Sequence, residues 1–311
     1  MPTSNPSAAP TTSQGLVQSA REIAADIKLA HTVFALPFAL LGMMLAADAA
    51  SRLPSLTEWA LILFCMVAAR TFAMTFNRWA DGRLDAANPR TARRAVPAGR
   101  VSPTTMLAAC LASATLLLLA AAGFTLLDNP WPLILAPAVL LVLALYSLTK
   151  RFTALCHAVL GVSLALSPLA AALAIEPASL ATPALWLLAG FVLTWVAGFD
   201  ILYALADLDH DRTHRIFSIP SALGLAGALW ASRTLHTLAA ALLLTLAFTS
   251  PQLGLLFAIA TGLCLGLLTL EHTLIARSPA KHLDTAFFTL NGIISIVLGT
   301  AGIADLLLKS A

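Results

Sequence analysis

Charge is scarce in this chain. Asp, Glu, Lys and Arg make up 11% of its 311 residues against 59% hydrophobic ones, and mean hydropathy is +0.87. A water-soluble domain needs more polar surface than that, so a soluble enzyme or signalling domain is excluded. Strand-length segments of alternating hydrophobicity, the mark of a membrane β-barrel, are missing too. Backbone groups in lipid must then be satisfied within helices. Cysteine is sparse: Cys65, Cys110, Cys156 and Cys264 stand singly in apolar runs, a spacing that fits neither a disulfide framework nor a cysteine metal site. The first twenty residues hold no charge and no apolar core. They are not a signal peptide, and 1–20 reads as a disordered N-terminal tail.

What the chain has in abundance is apolar runs long enough to cross a bilayer, which takes about 20 residues in a helix. They fall near 27–50, 56–79, 104–127, 131–148, 153–175, 182–206, 232–249, 251–270 and 285–307, with 217–249 open to more than one division. The reading is an all-α polytopic membrane protein, with about nine transmembrane helices in one bundle forming a single domain over 21–311. Fourteen Lys and Arg residues lie on the side that holds the N-terminus and the stretches 78–103, 149–152, 207–231 and 271–284, against Arg52 and Lys309 opposite. Such bases concentrate in cytoplasmic loops, so the charged loops and the N-terminus are expected to face the cytoplasm. Asp81, Asp85, Asp207, Asp209 and Asp211 share that side, with Asp200 just inside a span. A central cavity opening to the cytoplasmic side follows as the place for any chemistry.

One stretch concentrates what the rest lacks. Residues 77–94, NRWADGRLDAANPRTARR, carry two aspartates and five arginines directly after an apolar run. Asn77, Asp81 and Asp85 are four apart, which on a helix puts them on one face at steps of ~6 Å. Arg70 falls on the same face, deeper in the membrane. The spacing recurs in DILYALADLDHDRTHRIFSIP (200–220), at Tyr203, Asp207 and Asp211. Two acidic helix ends facing each other would repel unless cations stood between them. Mg²⁺ suits such a place, because it takes few carboxylates and keeps room for water and phosphate oxygens. Neighbouring arginines grip phosphate with a bidentate fork. Acid pairs and arginines at the mouth of an apolar bundle therefore point to a diphosphate head on an oily tail. The competing reading, solvated loops that only set topology, accounts for the arginines alone but poorly for the duplicated acids.

These residues resemble the motifs of the UbiA superfamily of intramembrane prenyltransferases. Asn77, Asp81, Asp85, Arg90, Thr91 and Arg94 are similar to its first acidic motif and the Arg-Thr-x-x-Arg that follows. Tyr146, Lys150, Arg151 and Thr153 resemble its Tyr-x-x-x-Lys-Arg-x-Thr segment, and Asp200, Tyr203, Asp207, Asp211 and Ser218 its second acidic motif. The likeness runs from about residue 23 to 305. IKLAHTVFALPFAL (27–40) and AFFTLNGIISI (286–296) look like 4-hydroxybenzoate polyprenyltransferase-like proteins, including the branch, often called MqnP, assigned to the futalosine route to menaquinone.

The resemblance implies a Mg²⁺-dependent enzyme of a bacterial cytoplasmic (inner) membrane. It would transfer a polyprenyl group from an isoprenyl diphosphate to 4-hydroxybenzoate or a related hydroxyaryl acid or naphthoate, in ubiquinone or menaquinone biosynthesis. Asn77, Asp81 and Asp85 would form the first metal site, and Asp207 and Asp211 the second. The catalytic set would be these four aspartates with Asp200 and Tyr203. Arg90, Arg94, Lys150 and Arg151, together with Asn77, would bind diphosphate, and Arg70 and Tyr203 the acceptor. An arginine inside a span usually faces the interior with a partner, so Arg70 either pairs with Asp200 or meets an anionic acceptor. His31 resembles the family's His-Thr pair, whereas His157 and His236 lack ligand spacing and read as packing or loop residues. Expected partners are the two substrates and the lipid bilayer, with no nucleic acid and no obligate protein partner.

Four positions depart from the family pattern. Arg78 stands where many members carry Asp, Arg215 where relatives commonly have Gly, and His210 and His214 are unusual. A transporter of an anionic or lipid-linked solute would also have charges inside a bundle, and haem- or chlorophyllide-prenylating enzymes are further alternatives. A phosphatidyl-alcohol transferase is disfavoured, because DGRLDAAN does not match its Asp-Gly-x-x-Ala-Arg run.

Overall fold

A computed structural model of the chain describes residues 12–27, 33–277, 282–283 and 285–310. Among them every regular element is helical: α1 (Thr12–Ile27), α2 (Leu36–Ala49), α3 (Leu56–Ala80), α4 (Gly82–Ala87), α5 (Pro103–Gly123), α6 (Trp131–Thr149), α7 (Cys156–Ile175), α8 (Pro183–Tyr203), α9 (Leu208–Thr213), α10 (Ile219–Thr249), α11 (Leu255–Arg277) and α12 (Asn291–Ser310). Eight of these are long and apolar enough to cross a membrane, and α2 is a shorter apolar helix. The expected bundle of about nine is therefore present among the described residues. Two expectations change. The tail read over 1–20 is helical from Thr12 onward, while 1–11 lie outside the described residues. The loop read over 207–231 ends early, because α10 begins at Ile219 and extends to Thr249, with a kink at Gly224. Gly224, at φ 71°, bends α10 there, in backbone that only glycine adopts freely.

Helix starts follow from local chemistry. Ser55 accepts the Glu58 N–H at 3.3 Å while Glu58 Oε2 accepts the Ser55 N–H at 2.6 Å, a capping box that opens α3. Ser102 caps α5, and Ser218 with Ser221 forms a second box at α10. Pro103 and Pro183 occupy first-turn positions, where no N–H is needed.

Helix α8 is the most buried of the long helices and packs chiefly on α7 and α10. Small residues permit the closest approaches. A Cβ on Gly161 of α7 would lie 2.4 Å from the Leu193 carbonyl of α8, and one on Gly42 of α2 2.4 Å from that of Pro168 in α7. With no water to exclude between helices in lipid, such contacts are what holds the bundle together. Aromatic rings fill the middle, with Trp195, Phe38, Phe191 and Phe257 fully buried. Trp195 donates its indole N–H to Asn291 (2.6 Å), and Asn291 donates to the buried Glu271 (3.0 Å), joining α8, α11 and α12. His236 is part of the same core, bonded to His272 (2.9 Å). Gly161→Val should lower the unfolding midpoint in detergent, with a loss of about 1–3 kcal/mol as for other overpacked cores; an unchanged midpoint would mean that α7 and α8 do not touch there.

Candidate active site

Both acidic motifs sit where one helix gives way to another. Helix α3 stops at Ala80 and α4 starts at Gly82, so Asp81 is the junction (φ −91°, ψ 3°) rather than part of one continuous helical face. The four-residue spacing survives the break, because the Asp81 N–H bonds the Asn77 carbonyl (2.9 Å) and the Asp85 N–H bonds that of Asp81 (2.8 Å). The second motif repeats the layout. Helix α8 ends at Tyr203, a 3₁₀ turn covers Ala204–Asp207, and α9 carries Asp211.

The two motifs line one polar cavity of about 210 Å³. Its walls include Asn77, Asp85, Arg90 and Arg94 from the first stretch, Lys150 from the end of α6, and Asp200, Tyr203, Asp207 and Asp211 from the second. Asp81, 0% exposed, lies beneath that wall. Each carboxylate has its own counter-group. Lys150 reaches Asp81 Oδ2 (2.5 Å), Arg151 reaches Oδ1 (3.2 Å), and Asn77 donates its amide to Oδ2 (2.9 Å). Arg94 donates to Asp85 Oδ1 (2.6 Å), leaving Asp85 Oδ2 buried with no partner. Arg90 grips Asp207 with two nitrogens and also donates to the Tyr203 hydroxyl (2.9 Å), tying the first motif to the second. Burial alone would lower the Arg90 pKa, but its bonds to Asp207 outweigh that and raise it above the usual arginine value. Asn88 adds a bond to Asp207 (2.9 Å), and Ser218 donates to Asp211 (2.9 Å).

A second cavity, about 270 Å³ and almost wholly apolar, lies deeper in the bundle between α3, α5, α6 and α7. Tyr146 lines both cavities and forms their shared wall. Arg70 lines the apolar one, and its Nε is buried without a hydrogen-bond partner. The pairing of Arg70 with Asp200 is not formed; Asp200 Oδ2 lies 2.7 Å from His157 Nδ1. His157 thus belongs to the polar cavity rather than to packing. Tyr146 and Ser218 stand in the sequence motifs, though with no role read for them there; His157 and Asn88 take their roles from tertiary contacts that no spacing signals. His31 lies outside the described residues.

The donor set suits Mg²⁺. Hard carboxylate oxygens surround the cavity, and Asp85 Oδ2 is free of any hydrogen bond. Among the described residues, no three acid, His or Cys side chains gather closely enough to hold a metal by themselves. The sequence-based picture of converging carboxylates is corrected to that extent, since bases and amides hold the acids apart around the rim. Asn77 also differs from a free ligand: its Oδ1 accepts from Arg78 (3.0 Å), and Arg78 pairs with Asp26 of α1 (3.0 Å).

A family model described as UbiA prenyltransferase family matches residues 35–293. The chain belongs to the UbiA prenyltransferase family. The 4-hydroxybenzoate octaprenyltransferase of Nitrosomonas eutropha is 31% identical over 247 residues, covering 78% of this chain and 81% of its own. That of Vibrio cholerae is 31% identical over 230 residues, with 73% and 72% covered. An apo UbiA homolog from Aeropyrum pernix K1 superposes with a TM-score of 0.79 at 32% identity, over 90% of this chain and 99% of that one. A UbiA homolog from Archaeoglobus fulgidus, bound to GPP and Mg²⁺, gives a TM-score of 0.69 at 17% identity over 92% and 99%, a likeness of fold alone. This UbiA-family chain is an integral membrane prenyltransferase. Its departures have visible consequences. Arg78 does not add a carboxylate but fixes Asn77, and Arg215 holds a left-handed φ of 54° of the kind glycine adopts freely.

Asn77→Asp would remove the amide that Asp81 accepts from and set a second negative charge beside it. Turnover should fall at least about tenfold if Asn77 positions Asp81, a step of 1.4 kcal/mol or more in the barrier. Equal or higher activity, measured at saturating Mg²⁺, would instead make Asn77 a metal ligand.

Proposed function

We propose that this prenyltransferase joins a polyprenyl group to a small hydroxyaryl acid, 4-hydroxybenzoate or a related naphthoate of quinone biosynthesis. The reading rests on one observation above all: the polar cavity holding both acidic motifs shares Tyr146 with an apolar cavity that contains a single guanidinium, that of Arg70. A diphosphate head fits the first and an oily tail the second. The names of the curated relatives from Nitrosomonas eutropha and Vibrio cholerae support the acceptor class.

Asp81, Asp85, Asp207 and Asp211 are the residues that would hold Mg²⁺. Bound there, it would neutralise charge growing on the departing diphosphate. Arg90, Arg94, Lys150 and Arg151 turn from their carboxylates to the diphosphate oxygens and share that task. The apolar wall keeps water from the allylic cation left behind. Arg70, its Nε bare, takes the acceptor carboxylate and so points the phenol ring toward Tyr146 and the polar cavity. Tyr203 and Asp200, facing that cavity, orient the ring, and Asp200 receives the proton that the ring must lose. The excess of basic residues on that side supports a mouth that faces the cytoplasm in a bacterial inner membrane.

Purified protein supplied with Mg²⁺, farnesyl or geranyl diphosphate and a panel of acceptors, 4-hydroxybenzoate and the naphthoate first, should give a prenylated aromatic acid by mass spectrometry. Asp207→Ala, or excess EDTA with the wild type, should abolish product while the helical content in detergent is kept. Full turnover in either case would contradict the metal scheme. Arg70→Leu should raise KM for the acceptor and leave that for the diphosphate unchanged; equal loss of both would make Arg70 a structural residue.

A further inference from the structure

His157 opens α7, 4% exposed, yet it lines the polar cavity. Its ring is held at both ends. Nδ1 lies 2.7 Å from Asp200 Oδ2, and Nε2 accepts the backbone N–H of Ile219 at 3.3 Å. A nitrogen that accepts an N–H carries no proton of its own, so the ring proton sits on Nδ1 and is donated to the carboxylate. Ile219 is the first residue of α10, in the turn whose Ser218 binds Asp211 and whose Phe217 N–H bonds the Lys150 carbonyl (2.8 Å). One turn therefore steadies Asp211, Lys150 and, through His157, Asp200. The Asp200 side chain stays 22% exposed on the cavity wall, so one oxygen is held and the carboxylate still meets the cavity.

We propose that His157 is the positioning residue for Asp200: it fixes Oδ2 so that Oδ1 faces the acceptor and takes the ring proton after prenyl transfer. This rests on the prenyl-transfer reading above. Once C1 of the prenyl group has bonded to the aromatic carbon, that carbon bears both the new substituent and its hydrogen. The C–H electron pair returns to the ring, the proton passes to Asp200, and aromaticity is restored; the proton then leaves to water through the polar mouth. A wandering carboxylate would do this slowly. A fixed one makes proton loss fast, so that it is not felt in turnover.

The test uses the full-length protein in detergent with Mg²⁺, farnesyl diphosphate and 4-hydroxybenzoate deuterated ortho to its hydroxyl. His157→Leu should lower kcat by about a hundredfold, the lower range for a positioned proton acceptor. The KM for farnesyl diphosphate should not move, and a deuterium isotope effect absent in the wild type should appear. His157→Gln, which keeps a side-chain N–H for Asp200, should recover most of the rate without the isotope effect. Near-normal turnover in His157→Leu, or a loss with no isotope effect, overturns the proposal. Asp200→Asn separates the two readings. If it raises the isotope effect and His157→Leu does not, only the role of His157 falls; if it leaves turnover intact, Asp200 is not the proton acceptor. Nitrogen NMR of ¹⁵N-histidine-labelled wild type, with His157→Gln to assign the signal, gives a measure independent of any variant's folding or of turnover. The proton should be on Nδ1 of His157, and a bare Nδ1 would overturn the proposal.

Discussion

Asp81 has no contact with solvent, and the architecture around it follows from that. A carboxylate taken out of water is tolerable only when paired and hydrogen-bonded. Lys150 and Arg151, at the end of α6 and just beyond it, and Asn77, one turn earlier in α3, meet this demand from different parts of the chain. The requirement thus ties the end of α3 to the end of α6. Arg94 on Asp85 and Arg90 on Asp207 extend the same logic across the cavity mouth. The bases that neutralise the acids at rest are the groups that an entering diphosphate would need. With divalent cations accompanying the substrate, each charge would change partner and none would be left buried alone.

The second constraint is the separation of wet from dry. Tyr146 stands between a cavity ringed with charge and one lined almost wholly by aliphatic side chains. That partition matches a substrate with a charged head, a reactive carbon at the border and a tail that water excludes. Arg70 breaks the apolar pattern at one point, where an anionic acceptor gains most from a lone guanidinium. Beneath the polar cavity, the Trp195–Asn291–Glu271 chain gives α8, α11 and α12 a fixed mutual register.

Much of this was legible in the sequence because bilayer thickness dictates span length and the i, i+4 spacing dictates which residues share a face. The spans from Leu56 to Tyr203 were placed within a few residues. The length of α10 was not: Pro220, Gly224 and Arg233 look like interruptions, yet Pro220 sits in the first turn, Arg233 lies within the helix, and the kink at Gly224 leaves helix on both sides. The breaks at Asp81 and Asp207 were invisible because the spacing persists through the junctions. His157 was hidden for a different reason. Its significance lies in two partners, Asp200 and Ile219, that are distant in sequence, and a lone histidine in an apolar run looks like packing. Arg78 was recognised as a departure, but only the fold shows that it secures Asn77 from α1's side.

If the two acidic motifs act together on one metal-borne diphosphate, neither can bind it without the other. Calorimetric titration with a non-ionisable thiolo analogue of farnesyl diphosphate tests it without any acceptor or turnover. Binding should require Mg²⁺ and be lost alike in Asp81→Asn and in Asp207→Asn. Binding that persists without divalent metal, or that survives in either variant, would contradict it.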